Sequence, residues 1–296
     1  MNLVELTKKI KYLAIYTNRK VNDNFSGNYK SFFRGQGLEV NDLRQYEFGD
    51  DARLIDWITS AKQGSLYIKK FQETRELTVM LLVDLSASMN FTTCERKKSD
   101  TAIEFIALIL FSALCNNDKF GVVLFADSVL KYIPPKKGKS HLLKILREII
   151  LGFENNQYQK SNPYKAIDFL NNIIRKRSVC FFVGDEIMQN ADCDRNISLK
   201  IANRKHDFIF VNIFDEFERA INTDEVIEID DLESGRSMIL DFSDQKLRDN
   251  YQRLRTQKYE EVDSVLKKYR IEKMDISTKS NIYKDLLLFF KKRIVS

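Results

Sequence analysis

The sequence predicts an α/β fold with a doubly wound, mainly parallel sheet that begins at about Leu77. From there strand-like and helix-like segments alternate with short connections, and such alternation implies crossovers between parallel strands. The strand-like segments are near-continuous apolar runs, which is typical of strands that helices cover on both faces. A chain of 296 residues with 44% hydrophobic residues and 21 Phe is large enough to bury such a core.

The expected elements follow one another from the first strand onward. That strand, Leu77 to Asp84, is a bulky apolar run, and the next helix, Lys97 to Cys115, is apolar nearly all round. The other predicted strands are Lys119 to Ala126, Val129 to Ile133, Ser178 to Gly184, Asp207 to Phe214 and Arg270 to Ile276. The other predicted helices are Lys139 to Phe153, Pro163 to Arg177, Asn196 to Arg204, Asp244 to Lys268 and Lys279 to Ile294. Wound in the order 3-2-1-4-5-6, these strands place the first beside the fourth.

Two parts of the chain fall outside this alternation. Residues 223–242 contain two short strand-like runs around Glu-Ser-Gly, which predicts a β-hairpin inserted at about residues 216–243. Residues 1–76 form an amino-terminal segment ahead of the α/β domain, residues 77–296. Because the apolar helix requires cover on both sides, we expect the amino-terminal segment to pack on it.

Oxygen-bearing side chains follow the first strand at once. Asp84 ends the strand in the sequence DLSAS, and Ser86 and Ser88 follow it. Open α/β sheets bind ligands at the carboxyl ends of strands, and carboxylate and hydroxyl oxygens suit hard cations. The pattern therefore indicates a site for Mg²⁺, with Mn²⁺ as an alternative. The other interpretation is a strand-end aspartate with serines that cap the next helix.

A second carboxylate is expected at the same edge of the sheet. The fourth predicted strand ends in FFVGDE, which places Asp185 opposite Asp84 on the neighbouring strand. Ser161, in the loop ahead of the Pro163 helix, offers a further hydroxyl. The convergence of these oxygens favours a divalent cation site over the capping interpretation.

Composition excludes several other kinds of site and partner. The four cysteines form no C-x-x-C pair and there are two histidines, which excludes zinc-finger and histidine-metal sites. The net charge of +6 comes from interspersed basic and acidic residues, so no nucleic-acid partner is expected. The amino terminus lacks the pattern of a signal peptide and no apolar run is long enough to cross a membrane, so the expected location is cytoplasmic.

These motifs resemble two known groups of proteins. DLSAS, a hydroxyl residue before a middle helix and an aspartate after the fourth strand are similar to the metal-ion-dependent adhesion site (MIDAS) of von Willebrand factor A domains. From Arg34, the segment RGQGLEVNDLRQYEFGDDARLIDWITSAKQGSLYIKKFQETRELTVMLLVDLSASM resembles the bacterial DUF58 family, domains of unknown function whose members carry such an A-like domain. The resemblance continues through NNDKFGVVLF and PPKKG and covers nearly the whole chain.

The resemblance implies a ligand set for a Mg²⁺ ion. By position its members are Asp84, Ser86 and Ser88 from the first loop, Ser161 from the second and Asp185 from the third. The family pattern usually has threonine where this chain has Ser161, so that ligand departs from the pattern. In such sites the cation keeps a position for a carboxylate of a protein partner, which implies a metal-dependent interaction module. Because members are often encoded beside MoxR-type AAA+ ATPases, the resemblance also implies an adaptor or chaperone-like partner of such a motor.

An enzymatic alternative uses the same aspartate. A Mg²⁺-dependent phosphoryl hydrolase would use Asp84 as its nucleophile and a second aspartate two residues later as acid and base. Ser86 occupies that second position, and no histidine is nearby in the sequence. The sequence therefore favours binding over catalysis, and we expect no enzymatic activity.

The charged segment from Arg34 to Trp57 has no clear helical or strand period. One interpretation is a network of charge-assisted hydrogen bonds that holds the amino-terminal segment against the A-like domain. The other is a docking surface for a partner, anchored by Trp57 and the arginines. The sequence leaves both open.

Overall fold

A computed structural model of the chain describes residues 39–72, 77–93, 96–155, 160–185, 196–219, 225–231 and 236–295. These residues fall in two compact units. One unit lies within Phe33–Leu77, and the other contains the described residues from Thr78 onward.

The smaller unit is an antiparallel pair of strands with one helix. Strand β1 (Glu39–Gln45) pairs with strand β2 (Tyr67–Gln72), and helix α1 (Trp57–Gln63) lies between them in the sequence. The Asp56 side chain caps α1 by accepting hydrogen bonds from two backbone N–H groups. Gly64 ends the helix in the left-handed conformation, with φ of 69°, which a residue without Cβ adopts at no steric cost.

Strand β1 lies within the segment from Arg34 to Trp57, whose sequence shows no clear helical or strand period. Its register against β2 shifts between Val40 and Asp42, and such a bulge interrupts the two-residue alternation by which a strand is recognised. Two ion pairs of the segment join residues close in sequence: Arg44 bonds to Asp50 at 2.6 Å, and Arg53 bonds to Asp51 at 2.9 Å. Arg34 lies outside the described residues.

The larger unit is built on a sheet of six strands. Its strands, with those of a separate hairpin, are β3 (Thr78–Asp84), β4 (Lys119–Phe125), β5 (Val129–Lys136), β6 (Val179–Gly184), β7 (Asp207–Phe214), β8 (Val226–Asp231), β9 (Arg236–Asp241) and β10 (Glu272–Ser277). The order across the main sheet is β10-β7-β6-β3-β4-β5. All neighbours are parallel except β4 and β5, because their connection is too short for a crossover. The predicted order, with the first strand beside the fourth, is confirmed.

Helices cover both faces of the sheet. They are α2 (Lys98–Cys115), α3 (Lys139–Glu154), α4 (Pro163–Ile173), α5 (Asn196–Lys205), the four-residue α6 (Glu216–Arg219), α7 (Gln245–Lys268) and α8 (Ile282–Val295). On one face, α4, α5 and α7 contribute to a core that contains Leu82, Phe182 and Phe210. On the other face, Phe105 of α2 contacts Phe181 edge-on, with ring centroids 5.8 Å apart. Since consecutive strand residues point to opposite faces, the apolar runs of these strands fill both cores, and the predicted doubly wound α/β class is confirmed.

Helix α2 is buried along nearly its whole length, as its all-round apolar sequence predicts. It contacts α3 and α8, and it also meets the sheet at β4 and β7. Whether the amino-terminal segment adds further cover stays a prediction, because residues 1–38 lie outside the described part of the chain.

Two helix boundaries differ from the expectation by more than one residue. Helix α4 ends at Ile173 rather than at Arg177, because Ile174 already has the extended conformation that leads into β6. Helix α8 begins at Ile282 rather than at Lys279. Its start is set by Asn281, whose side chain accepts a hydrogen bond from the backbone N–H of Lys284.

A β-hairpin lies where the sequence predicts an insertion. Strands β8 and β9 pair antiparallel in a two-stranded sheet of their own, outside the main sheet. Just after β9, the buried Phe242 contacts the rings of Phe217 and Tyr251 edge-on. Among the helices of the described ranges, none has the length and apolar character needed to cross a membrane.

Candidate metal centre

The candidate site lies where β3 and β6 end side by side. These strands are parallel and in register up to Val83 and Val183, so Asp84 and Gly184 are level with each other. A Cβ atom added to Gly184 would lie 3.2 Å from Cβ of Asp84. Glycine therefore allows the two strand ends to approach closely, and the fully buried Asp84 side chain lies in the space.

The first loop folds back onto the Asp84 carboxylate. The backbone N–H of Ser86 donates to Asp84 Oδ1 at 2.8 Å, and the hydroxyls of Ser86 and Ser88 are 3.0 Å apart. Ser86 precedes the short 3-10 turn Ala87–Asn90 but makes no side-chain cap hydrogen bond to it. Helix α2 begins only at Lys98, so these serines do not cap it. The capping interpretation is therefore wrong.

The second loop contributes Ser161, as predicted. Its Oγ donates to Asp84 Oδ2 at 2.6 Å, across 77 residues of sequence. The loop is held by the neighbouring Asn162, whose backbone N–H donates to the carbonyl of Ala126 at 2.7 Å. The Asn162 side chain also caps α4, so the hydroxyl of Ser161 is positioned by both β4 and α4.

The third loop places Asp185 near Asp84, but its carboxylate is engaged elsewhere. Oδ2 of Asp185 accepts a hydrogen bond from the ammonium of Lys98 at 3.1 Å. The same ammonium donates to Glu218 Oε1 at 2.6 Å, and the Lys98 side chain has no exposed surface. The structure thus brings the five predicted residues to one edge of the sheet, together with a buried lysine and a further carboxylate that the sequence did not indicate.

The electrostatics of the two aspartates differ. Burial, and next the negative charge of Asp185, raise the pKa of Asp84 to about 7, against the opposing hydrogen bonds from Ser161 and Ser86. For Lys98, burial alone would lower the pKa, but the charges of Asp185 and Glu218 outweigh it and raise the pKa. Within the described residues, Asp84 is therefore a buried carboxyl group with no basic side chain bonded to it, whereas Asp185 bonds to Lys98.

One sequence signal could have identified Lys98. It is the first residue of α2, and a cation is unfavourable at a helix N-terminus because the helix dipole is positive there. A lysine in that position requires a compensating negative charge, which Asp185 and Glu218 supply. Glu218 could not be found in this way, because it lies on a four-residue helix that follows β7.

A third aspartate at the same sheet edge has a structural role. Asp215 follows β7, is fully buried and accepts hydrogen bonds from the hydroxyls of Thr93 and Thr278. Burial alone would raise the pKa of Asp215, but the hydrogen bonds, first that of Thr93, outweigh it and lower the pKa. Asp215 thus joins the end of the first loop to the ends of β7 and β10.

The donor atoms near Asp84 fit a hard divalent cation. Within the described residues, no group of three or more His, Cys, Asp or Glu side chains is arranged to hold a metal ion, so hydroxyls would have to complete the set. Ser86, Ser88 and Ser161 supply such oxygens, two of them bonded to each other and one bonded to Asp84. A buried carboxylate is costly without a positive charge beside it, and a cation would remove that cost.

One family model matches most of the chain, and several proteins are similar to it in sequence. A sequence model of the family described as "Protein of unknown function DUF58" matches residues 42–261. The uncharacterized protein Mb1516 of Mycobacterium bovis is 24% identical over 250 residues, which cover 84% of this chain and 77% of that protein. The uncharacterized protein YeaD of Bacillus subtilis is 28% identical over 109 residues, 37% of this chain and 25% of that protein.

Several solved structures are similar at low identity. A conserved hypothetical protein BatB from Bacteroides thetaiotaomicron is 12% identical, with a TM-score of 0.46 over 74% of this chain and 100% of that chain. The SpRpn10 VWA domain is 13% identical, with a TM-score of 0.36 over 71% of this chain and 93% of that chain. Proximal thread matrix protein 1 of the mussel byssus, with a zinc occupied MIDAS motif, is 16% identical, with a TM-score of 0.35 over 47% of this chain and 38% of that chain. Because these TM-scores are below 0.5, nothing about the site follows from them.

Proposed function

The chain belongs to the DUF58 family, and on that premise we propose that it is a metal-dependent protein-interaction module that binds Mg²⁺ at Asp84. The proposal rests on one observation, the surroundings of the Asp84 carboxylate. It is fully buried, two loops direct hydroxyl and N–H groups at it, and no basic side chain of the described residues is bonded to it. A group of this kind is stabilised by a cation.

The oxygen atoms of the donor set determine which cation would bind and how the bound cation would act. Ser86, Ser88 and Ser161 add oxygen atoms but no charge, so the ion keeps a net positive charge after Asp84 binds it. Only Oδ2 of Asp185 is bonded to Lys98, so the carboxylate can contribute its other oxygen or act through water. A Mg²⁺ ion in this setting supplies Lewis acidity and attracts a further carboxylate from a protein partner. Mn²⁺ prefers the same oxygen ligands.

The identity of the partner is proposed from the resemblance of the sequence to its family. We propose that the chain acts in the cytoplasm as an adaptor or chaperone-like partner of a MoxR-type AAA+ ATPase. Affinity capture with the wild type and an Asp84 variant, in Mg²⁺ and in EDTA, tests this pairing. Retention of the ATPase by the wild type in Mg²⁺ alone would support the proposal, and equal retention by the Asp84 variant would contradict it.

The structure weakens the hydrolase alternative. A carboxylate nucleophile must reach the phosphorus atom of a substrate, and Asp84 has no exposed surface. Magnesium-dependent release of p-nitrophenol from p-nitrophenyl phosphate, lost in Asp84→Asn, would overturn the binding proposal in favour of catalysis.

Isothermal titration with MgCl₂ tests the metal site itself. We expect Asp84→Asn to weaken Mg²⁺ binding by at least about 100-fold, because loss of even an outer-shell partner of a metal ligand costs 10- to 100-fold. Asp127→Asn is the matched control, since Asp127 is an exposed aspartate just after β4 at the same edge of the sheet. Wild-type affinity in Asp84→Asn, or an equal loss in the control, would contradict the site.

A further inference from the structure

A cavity adjoins the candidate metal centre on the face of the sheet that α7 covers. Asp185 is one of the residues that line it. Phe210 of β7 and Val262 of α7 are apolar residues of the lining. Phe214 of β7 also lines the cavity, and the guanidinium of Arg219 lies over its ring, 3.3 Å from the centroid. Arg255, also on α7, is one of the charged residues of the lining.

The guanidinium of Arg255 is held in place but not neutralised. Its Nε donates to the hydroxyl of Tyr251 at 3.1 Å, one turn earlier on α7. Among the described residues no carboxylate lies within ion-pair distance of it, whereas Lys273, on the same lining, is paired with Asp263 at 2.7 Å. The terminal nitrogens of Arg255 therefore remain available as a planar pair of donors, which matches a carboxylate.

The two acidic groups of the lining that lie beside the metal centre are bonded to another cation and form no ion pair with Arg255. Asp185 and Glu218 both bond to the buried ammonium of Lys98, which lies behind them. The lining thus contains two carboxylates that share one internal cation, and Arg255, which has no ion-pair partner among the described residues. A monoanion with an apolar stem fits this balance better than a phosphate dianion, which the two carboxylates would repel more strongly.

We propose that this cavity binds a glutamate or aspartate side chain of an acidic segment of the protein partner, with its carboxylate on Arg255 and its stem against Phe210 and Val262. The inference extends the proposed function, because it assigns the partner a second contact beside the one at the metal. It does not require the ion, since Arg255 is available without it.

Fluorescence anisotropy with a fluorescein-labelled Glu/Ala peptide tests the inference, with the Gln/Ala peptide as the uncharged probe. We expect Arg255→Gln to weaken binding of the Glu/Ala peptide about tenfold in EDTA, as expected for the loss of charge-assisted hydrogen bonds. The matched control is Arg253→Gln, because Arg253 is exposed on the same helix and the charge change is identical. Arg253→Gln should bind like the wild type, and Arg255→Lys should lie between the wild type and Arg255→Gln.

Each other outcome has a defined meaning. Equal binding by Arg255→Gln and the wild type, or an equal loss in Arg253→Gln, would overturn the inference. Stronger displacement of the peptide by inorganic phosphate than by acetate would make the cavity a phosphate site and would also overturn it. If thermal melting shows that Arg255→Gln is unfolded, Tyr251→Phe replaces it, since loss of the hydroxyl that positions Arg255 should weaken binding of the Glu/Ala peptide. Failure of Mg²⁺ to add affinity through Asp84 would contradict the proposed function alone, because the effect of Arg255 is measured in EDTA.

Discussion

At the scale of single residues, the site contrasts two buried charges. Among the described residues, the groups that donate hydrogen bonds to Asp84 are neutral, whereas Asp185 shares the ammonium of Lys98 with Glu218. A buried ammonium is tolerated because two carboxylates contact it, and its removal would leave both of them uncompensated. Lys98 therefore stabilises the sheet edge in the absence of any metal.

Replacement of Lys98 measures that contribution. We expect Lys98→Met to lower the free energy of unfolding by about 3 kcal/mol, because removing one partner of a buried pair leaves an unpaired charge. Urea unfolding monitored by circular dichroism measures the difference. In the matched control, Lys131→Met, the same change falls on a lysine that is 47% exposed and paired with Glu148. That pair lies at the surface and should cost less than about 1 kcal/mol. Equal losses in the two variants would contradict the role of Lys98.

At the scale of elements, the edge hairpin of β4 and β5 depends on one glycine. A Cβ atom at Gly121 would lie 2.7 Å from the carbonyl oxygen of Ile133 and 2.9 Å from the nitrogen of Pro135. Both atoms belong to the backbone of β5, so neither can move without disturbing the strand. The register of the pair shifts at this position, which is consistent with a close approach.

Gly121→Ala is therefore predicted to be destabilising. We expect a loss of about 2 kcal/mol, in the range for overpacking of a core, measured by thermal or urea unfolding. Gly152→Ala in α3 is the control, because its Cβ would meet only the movable end of the Leu85 side chain and alanine favours the helix. A neutral Gly121→Ala would show that β5 is free to shift away from β4.

We expect the stability of the folded chain to depend on pH through a histidine at the junction between α5 and β7. His206 is buried there, and neither ring nitrogen has a hydrogen-bond partner among the described residues. Burial, together with the positive charges of Lys205 and Arg177, lowers the pKa of His206 to about 4. The unfolded chain therefore binds this proton more readily than the folded one does.

The sign of the effect follows from that difference. The contribution of neutral His206 to the free energy of unfolding is fully present above pH 6.5. It is lost as the pH falls toward 4, by up to about 3 kcal/mol. His206→Phe should remove this part of the acid sensitivity, while His141, the other histidine, still contributes its own. Urea unfolding of both proteins from pH 7 to pH 4 makes the comparison. If the free energy of unfolding falls with pH equally in the wild type and in His206→Phe, His206 is not neutral in the folded chain.

At the scale of the whole molecule, a metal that binds only the folded chain must raise its stability. At a Mg²⁺ concentration 100 times the dissociation constant, we expect an increase of about 2.7 kcal/mol in the free energy of unfolding. The increase should be absent in Asp84→Asn and present in Asp127→Asn, and differential scanning calorimetry with MgCl₂ or EDTA measures it. A wild type whose unfolding midpoint does not respond to Mg²⁺ would argue against a folded-state site.

Local sequence patterns were sufficient for most of the larger unit. The apolar runs of β3, β6 and β7 and the all-round apolar α2 indicate elements buried on both sides, and the alternation of these elements indicates the strand order. The DLSAS motif and Asp185 could be placed at one edge because parallel neighbours end together. Strand β1 could not be predicted, because its bulge between Val40 and Asp42 removes the alternating pattern.

The sequence by itself therefore determined the α/β class, the strand order and the loops in which the oxygen atoms occur, because these depend on the periodicity of apolar residues. Only the tertiary structure decided how the charges pair. Lys98, Asp185 and Glu218 come from α2, the end of β6 and α6, and the contacts between them span 87 and 120 residues. No local pattern encodes such contacts, since they form only when the sheet brings the ends of separate strands together.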